Sequence, residues 1–296
     1  MANARCQAVD TTFLSTQAFL ELRGCIHRDY LAHCLRFAHV ARYLQLRKRH
    51  NTAHMLDVGC GREVPLACLM YTNMLTHTTG SYTGVDYGPV PWPHLIKQGS
   101  SRFHVTLLEK TDFATAPLPR AQYDLVTMFE VAEHVEPLHS FRLLQRIRQV
   151  LAPDGVAFIS TPCYDPHVGA ANNHVNEMGR ETLRQLFGAA GLRVGQVRGT
   201  FASQRDYEHL LDERYPGLKD VFEELADYYH PCVVACIFAP LFPDVARNCI
   251  WKLGPGEVTV PTADRAAWLA PENSSSALWP AHAAQIYDEV TRAAVR

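Results

Sequence analysis

The sequence predicts an α/β fold with a doubly wound, mostly parallel sheet, and three observations carry that prediction. Apolar strand-like runs alternate with amphipathic helix-like runs through the middle of the chain. Each strand-plus-helix unit takes about 20 to 30 residues, the length that a right-handed βαβ crossover needs. A glycine pair, Gly59 and Gly61, closes the first apolar run, where a strand must turn sharply into a helix.

Taken in order, residues 12–50 read as helix. From Tyr30 the apolar positions Tyr30, Cys34, Phe37, Ala41 and Leu44 recur at helical spacing, which puts them on one face for packing on the sheet or covering a ligand. Strands are expected at 55–58, 82–86, 103–108, 123–128 and 156–160, with 76–81 as a loop insertion before the second. An amphipathic helix at 141–151 is closed by the turn Pro153-Asp154-Gly155. A helix from Arg180 to Ala190 ends at Gly191, a residue suited to the left-handed position just past a helix, and leads into a strand at 192–197. Segment 200–247 is helical by pattern, with Leu210, Leu211, Leu218, Val221, Phe222 and Leu225 apolar and a break at Pro216. It reads as a lid or as extra packing, inserted before a last strand at 248–253. The domain plan is therefore an amino-terminal helical extension (1–50), a central domain (51–255) and a tail rich in Pro, Ser and Ala (256–296) with one helix at 281–295.

Composition excludes several classes. A chain of 296 residues with 47% hydrophobic content buries a full core, and no run approaches the ~20 apolar residues of a membrane span. A net charge of −2 argues against the clustered cations that bind duplex nucleic acid, and Arg47-Lys48-Arg49-His50 reads as a solvated helix end. Met1 to Cys6 lacks the layout of a secretory signal, so a cytoplasmic location is expected. The nine cysteines contain no CxxC pair and read as reduced thiols; Cys232 and Cys236, without matching partners, make a poor zinc site.

The chemistry-bearing residues fall at strand ends. Leu56-Asp57-Val58-Gly59-Cys60-Gly61 ends the first strand, leaving room for a ligand to approach backbone amides. Gly84-Val85-Asp86 places a carboxylate after the second strand, where a ribose diol binds in related arrangements. Thr111-Asp112-Phe113 follows the third, an acid beside an aromatic ring, suited to an exocyclic amine and an adenine face. Tyr123-Asp124-Leu125-Val126 begins the fourth. A nicotinamide fingerprint, GxGxxG, would need a small residue where Val64 stands and does not call for the Asp112-Phe113 pair.

On these motifs, residues 50–255 resemble the class I S-adenosylmethionine-dependent methyltransferase superfamily. The resemblance implies a seven-stranded Rossmann-like sheet and S-adenosylmethionine as cofactor. It places Asp57 near the methionine part, Gly59 and Gly61 at the glycine turn, Asp86 on the ribose, and Asp112 and Phe113 at adenine. Tyr30 is implied to close over the methyl donor, or to be a core aromatic. Glu63 stands where the third glycine of a full GxGxG would be, a departure from the pattern. Arg28 to His33 is similar to methyltransferases encoded by tailed phages, which implies a modified nucleotide or a surface sugar as acceptor.

Directly after the fourth strand stands Glu130-Val131-Ala132-Glu133-His134; on a helix, Glu130, Glu133 and His134 would share one face. Two carboxylates and an imidazole can bind Mg2+ or another divalent cation. This ExxEH is similar to small-RNA 3′-terminal 2′-O-methyltransferases and ubiquinone-biosynthesis O-methyltransferases, and in the RNA group a later histidine, here His174, completes the site. The resemblance implies a cation that activates an acceptor hydroxyl. Without a metal, Glu133 and His134 cap, hydrogen-bond or line the pocket, with His134 or His174 as general base and Glu130 among the candidate catalytic residues; a mainly structural role is a third reading. Arg28 and Tyr228-Tyr229-His230 are further acceptor contacts to consider. The expected function is methyl transfer to a hydroxyl on a small molecule, nucleotide, sugar or RNA end, with a non-catalytic binding protein of the same fold as the alternative.

Overall fold

The computed structural model describes residues 28–46, 52–61, 64–69, 79–92, 103–202, 216–229, 231–262 and 264–294. In chain order they form α1 (Arg28–Leu46), β1 (Thr52–Val58), α2 (Pro65–Leu69), β2 (Thr79–Val85), β3 (Phe103–Leu108), β4 (Tyr123–Phe129), α3 (Pro137–Val150) and β5 (Leu151–Pro162). Then follow α4 (Arg180–Ala189), β6 (Leu192–Phe201), α5 (Pro216–Tyr228), α6 (Pro231–Phe238), β7 (Asn248–Pro255), α7 (Arg265–Leu269) and α8 (Trp279–Ala294). Two compact units emerge, one from residues 1–38 with 198–247, the other from 39–197 with 248–296.

The strands form one seven-stranded sheet in the order β3-β2-β1-β4-β5-β7-β6, with β1 to β5 and β7 in the second unit. β1 pairs in parallel with β2 and β4, β2 with β3, and β4 with β5, while β7 runs antiparallel to β5. The inner strands are apolar on both faces, as a sheet covered by helices requires: Met55, Leu56 and Val58 of β1 and Leu125, Val126 and Met128 of β4 are all buried. The chain winds outward in both directions from β1, so the carboxyl ends of β1 and β4 flank the topological switch point, where open α/β sheets bind ligands.

Several expectations need correction. Residues 79–81 are strand, not loop: Thr79, Gly80 and Ser81 pair with Thr52, Ala53 and His54, and the ladder to β1 overrides their weak strand propensity. Pro153-Asp154-Gly155 lies within β5, whose register against β4 shifts between Tyr123 and Leu125, so the irregularity is absorbed as a bulge. The buried face of α1 is Ala32, Arg36, Val40 and Leu44, whereas Cys34 is exposed. Arg36 donates to Nδ1 of His33 at 3.3 Å, and a buried cation on that stripe is what apolar periodicity could not mark. Farther along α1, His39 and Tyr43 set their rings against Phe158 of β5, at 6.3 and 5.8 Å between centroids.

α3 begins at Pro137, where a missing N–H costs nothing, and buries Phe141, Leu144 and Ile147. α4 ends before Gly191, which takes φ +76° and donates to the Gly188 carbonyl at 2.9 Å. The tail holds two helices rather than one. Asp264 caps α7 by accepting from the Ala266 and Ala267 amides, and Trp268 and Trp279 pack edge to face at 4.8 Å. α8 is pinned to α3 by a two-pronged Arg142–Glu289 pair with both contacts at 2.6 Å.

In the first unit, α5 and α6 enclose a small core of Phe222, Val234, Ala235, Phe238, Ala239 and Ala202. Pro216 is the first residue of α5. The expectations for Leu210, Leu211, residues 12–27 and Arg47 to His50 lie outside the described residues, as do the side chains of Arg28, Tyr30, Cys232 and His230. Among the described residues, Cys34, Cys60, Cys68, Cys163, Cys236 and Cys249 form no disulfide, and no helix is long and apolar enough to cross a membrane.

Candidate active site

The glycine turn is built as its residues require. Gly59 and Gly61 take φ +71° and +69°, values that a β-carbon disfavours. The Gly59 and Cys60 amides donate to the Val85 carbonyl at 2.8 and 3.3 Å, stitching the β1 loop to the end of β2. The Gly61 amide donates to Oδ2 of Asp86 at 2.9 Å, and the Gly88 amide donates to Oδ1 at 2.7 Å. Each carboxylate oxygen has a second lone pair, so Asp86 can still accept the two hydroxyls of a ribose.

Asp57 is buried and spends both oxygens on the neighbouring strands. The Tyr82 hydroxyl donates to Oδ2 and the Thr127 hydroxyl to Oδ1, each at 2.6 Å. Burial raises its carboxyl to about 6; the two hydroxyls pull the other way, and the charge of Asp86 adds to the rise. Asp112 opens the loop after β3, where Oδ1 accepts the Ala114 amide at 2.9 Å and lies 3.5 Å from Nε2 of His139. Phe113 is 2% exposed, a core ring. Tyr30 lies on α1, its side chain outside the described residues.

The Glu130 to His134 segment is not the helix expected. Glu130 adopts φ +56°, a left-handed turn, and a short 3-10 turn over Ala132–His134 follows. Glu130 thereby leaves the shared face: its Oε1 accepts Ser160 at 2.7 Å and its Oε2 accepts Asn248 at 2.8 Å, which ties β4 to β5 and β7. Glu133, His134 and His174 do come together, one ligand atom of each lying within 4.8 Å of the others. Glu133 is fully buried and its Oε2 accepts the Thr161 hydroxyl at 2.9 Å.

The two imidazoles stand edge to face with centroids 4.9 Å apart. His134 Nδ1 lies 3.2 Å from the Asn173 carbonyl, and His174 Nδ1 lies 2.5 Å from Oε1 of Glu177. A carbonyl and a carboxylate only accept, so each Nδ1 carries a proton, and in the neutral ring it is Nε2 that holds the free lone pair. The loop that brings His174 here is held by the Val175 and Asn176 amides, which donate to the Glu133 carbonyl at 2.8 and 3.1 Å. The Asn176 side chain reaches Ser140 at 3.1 Å and Ser274 at 2.9 Å.

Sequence reasoning missed Glu177, Tyr87 and His139. Glu177 was legible only as the third residue after a histidine, and Tyr87 meets His139 from 52 positions away. Tyr228 and Tyr229 are exposed on the first unit.

Comparison with known proteins adds an independent line. The family described as a methyltransferase domain matches residues 30–197. A protein of Mycolicibacterium smegmatis named as a probable S-adenosylmethionine-dependent methyltransferase is 27% identical over 184 residues, 60% of this chain. A protein of the same description from Mycobacterium tuberculosis is 25% identical over 184 residues, again 60% of this chain. The chain spans 66% of the first relative's length and 62% of the second's. Among solved structures, a 1,6-didemethyltoxoflavin-N1-methyltransferase of Burkholderia thailandensis with bound S-adenosylhomocysteine is 15% identical. It aligns over 84% of this chain and 94% of its own, with a TM-score of 0.47.

Proposed function

The chain belongs to the methyltransferase-domain family of the class I S-adenosylmethionine-dependent superfamily, and on that premise we propose that it transfers a methyl group from S-adenosylmethionine to a hydroxyl oxygen of a small or terminal acceptor. Nucleotides, sugars and RNA ends are the acceptor classes in view. The observation that carries the hydroxyl reading is the pair His134 and His174, each with Nδ1 bound to an oxygen and Nε2 left as a base.

In this reading Asp86 takes the ribose, Asp112 the adenine amine, and the turn at Gly59 and Gly61 gives the cofactor room. The acceptor oxygen attacks the methyl carbon in line as the sulfur–carbon bond breaks. The bonding pair returns to sulfur, giving S-adenosylhomocysteine, and the hydroxyl proton passes to a histidine Nε2. The sulfonium is already activated, so alignment and exclusion of water supply most of the rate. Glu177 keeps His174 in the basic tautomer, and Glu130 braces the end of β4, beyond which His134 lies.

A second reading is favoured by the clustering of Glu133, His134 and His174. Two imidazole nitrogens and one carboxylate oxygen within 4.8 Å fit a divalent cation. Such a cation would supply Lewis acidity to the acceptor hydroxyl. One assay addresses both readings: labelled S-adenosylmethionine with pools of nucleotides, RNA ends, sugars and catechols, with and without a chelator. Transfer that persists in chelator and is lost in His174→Ala supports the histidine base, and transfer abolished by chelator and restored by Mg2+ or Mn2+ supports the cation. Transfer unchanged in both His134→Ala and His174→Ala contradicts both.

A further inference from the structure

The adenine side of the crevice holds a cluster that the roles above leave unused. Tyr87, the residue after Asp86, is 57% exposed, and its hydroxyl lies 3.2 Å from Nε2 of His139, in the first turn of α3. The two rings lie at a tilt, with centroids 6.4 Å apart. The same Nε2 lies 3.5 Å from Oδ1 of Asp112, the oxygen that also accepts the Ala114 amide. The imidazole of α3 thus stands between Tyr87, just past the end of β2, and the carboxylate in the loop after β3.

A single amide fixes a carboxyl group by one oxygen and leaves it free to swing; the His139 contact from α3, itself held by Tyr87, opposes that swing. An ionised carboxylate has about four acceptor directions, so the Asp112 group keeps room for a further donor after Ala114 and His139. We infer that His139, braced by Tyr87, is a positioning residue that aims Asp112 at the exocyclic amine of the cofactor and so makes the site prefer a 6-amino over a 6-oxo purine. This rests on the reading of Asp112 as the adenine-side acid. The chemistry follows from the two purines: an amine offers hydrogens to the carboxylate, whereas a 6-oxo group offers lone pairs that it repels, so the preference depends on the carboxylate being aimed.

Calorimetry on the full chain with S-adenosylhomocysteine and S-inosylhomocysteine tests it. The ratio of the two affinities is read within one protein, so a variant with a smaller active fraction still gives a valid ratio. The unaltered protein is expected to prefer the adenosyl compound by about tenfold or more, and His139→Ala to cut that preference about fivefold. His139→Gln, whose amide can still donate, retains most of the preference, and Tyr87→Phe loses a smaller part than His139→Ala. An unchanged ratio in His139→Ala overturns the inference. Equal binding of both compounds by the unaltered protein overturns it too while leaving the cofactor reading intact, and binding of neither removes both.

Discussion

Asp57→Asn removes the titrating group at the centre of the sheet, and the consequence can be worked through from its surroundings. The carboxyl is buried between Tyr82 and Thr127 and lies at about 6 against an ordinary 3.8. Between those two values the folded chain keeps a proton that the unfolded chain has released, so stability falls as pH rises through the window and levels off above it. A rise of about 2 units at 1.36 kcal/mol each makes the loss about 3 kcal/mol, complete by pH 7. Asparagine cannot titrate; it keeps one acceptor for the two hydroxyls and loses the other, a cost that does not vary with pH. Urea unfolding of both proteins at pH 4, 5, 6 and 7 isolates the effect, because every other titration cancels in the difference. From pH 4 to pH 7 the unaltered protein should lose about 2 to 3 kcal/mol relative to the variant, the remainder of the loss lying below pH 4. Parallel stability curves would refute the assignment of a buried, proton-retaining Asp57.

Two further substitutions probe the scaffold. Gly59→Ala must take φ +71° with a β-carbon in collision with Cγ2 of Val131, so it should cost about 2 to 3 kcal/mol. Adding Val131→Ala should recover part of that in thermal unfolding, whereas additive losses would mean the contact is not the cause. Trp279→Ala empties a fully buried site against Trp268 and removes the indole bond to the Trp268 carbonyl at 3.2 Å. It should cost about 3 to 5 kcal/mol, and a loss below about 1 kcal/mol would show that the tail is not part of the fold.

The parallel strands were legible because burial on both faces demands apolar runs, and Met55 to Val58 and Tyr123 to Met128 supply them. The start of β2 was not, since Thr79, Gly80 and Ser81 become strand only through the ladder that β1 offers. Helical spacing put Glu130 on a face with Glu133 and His134, but a left-handed backbone at Glu130 sends it to Ser160 and Asn248 instead. Local periodicity carries no sign of such a turn at a non-glycine residue. His134 and His174 were paired through the resemblance to the RNA 2′-O-methyltransferases, while the acceptors that fix their tautomers, Asn173 and Glu177, required the fold of the intervening loop. The brace at Asp112 joins residues from three elements, which one-dimensional spacing does not show.

The central claim is that the crevice at the carboxyl ends of β1 to β4 binds the adenosyl cofactor through Asp86 and the glycine turn. Titration calorimetry of the full chain with S-adenosylmethionine and S-adenosylhomocysteine, repeated on Asp86→Ala, tests it most directly. The account predicts one saturable site per chain for each ligand, weakened at least about tenfold in the variant. Absence of binding by either ligand to the folded protein, or undiminished binding by Asp86→Ala, would contradict it.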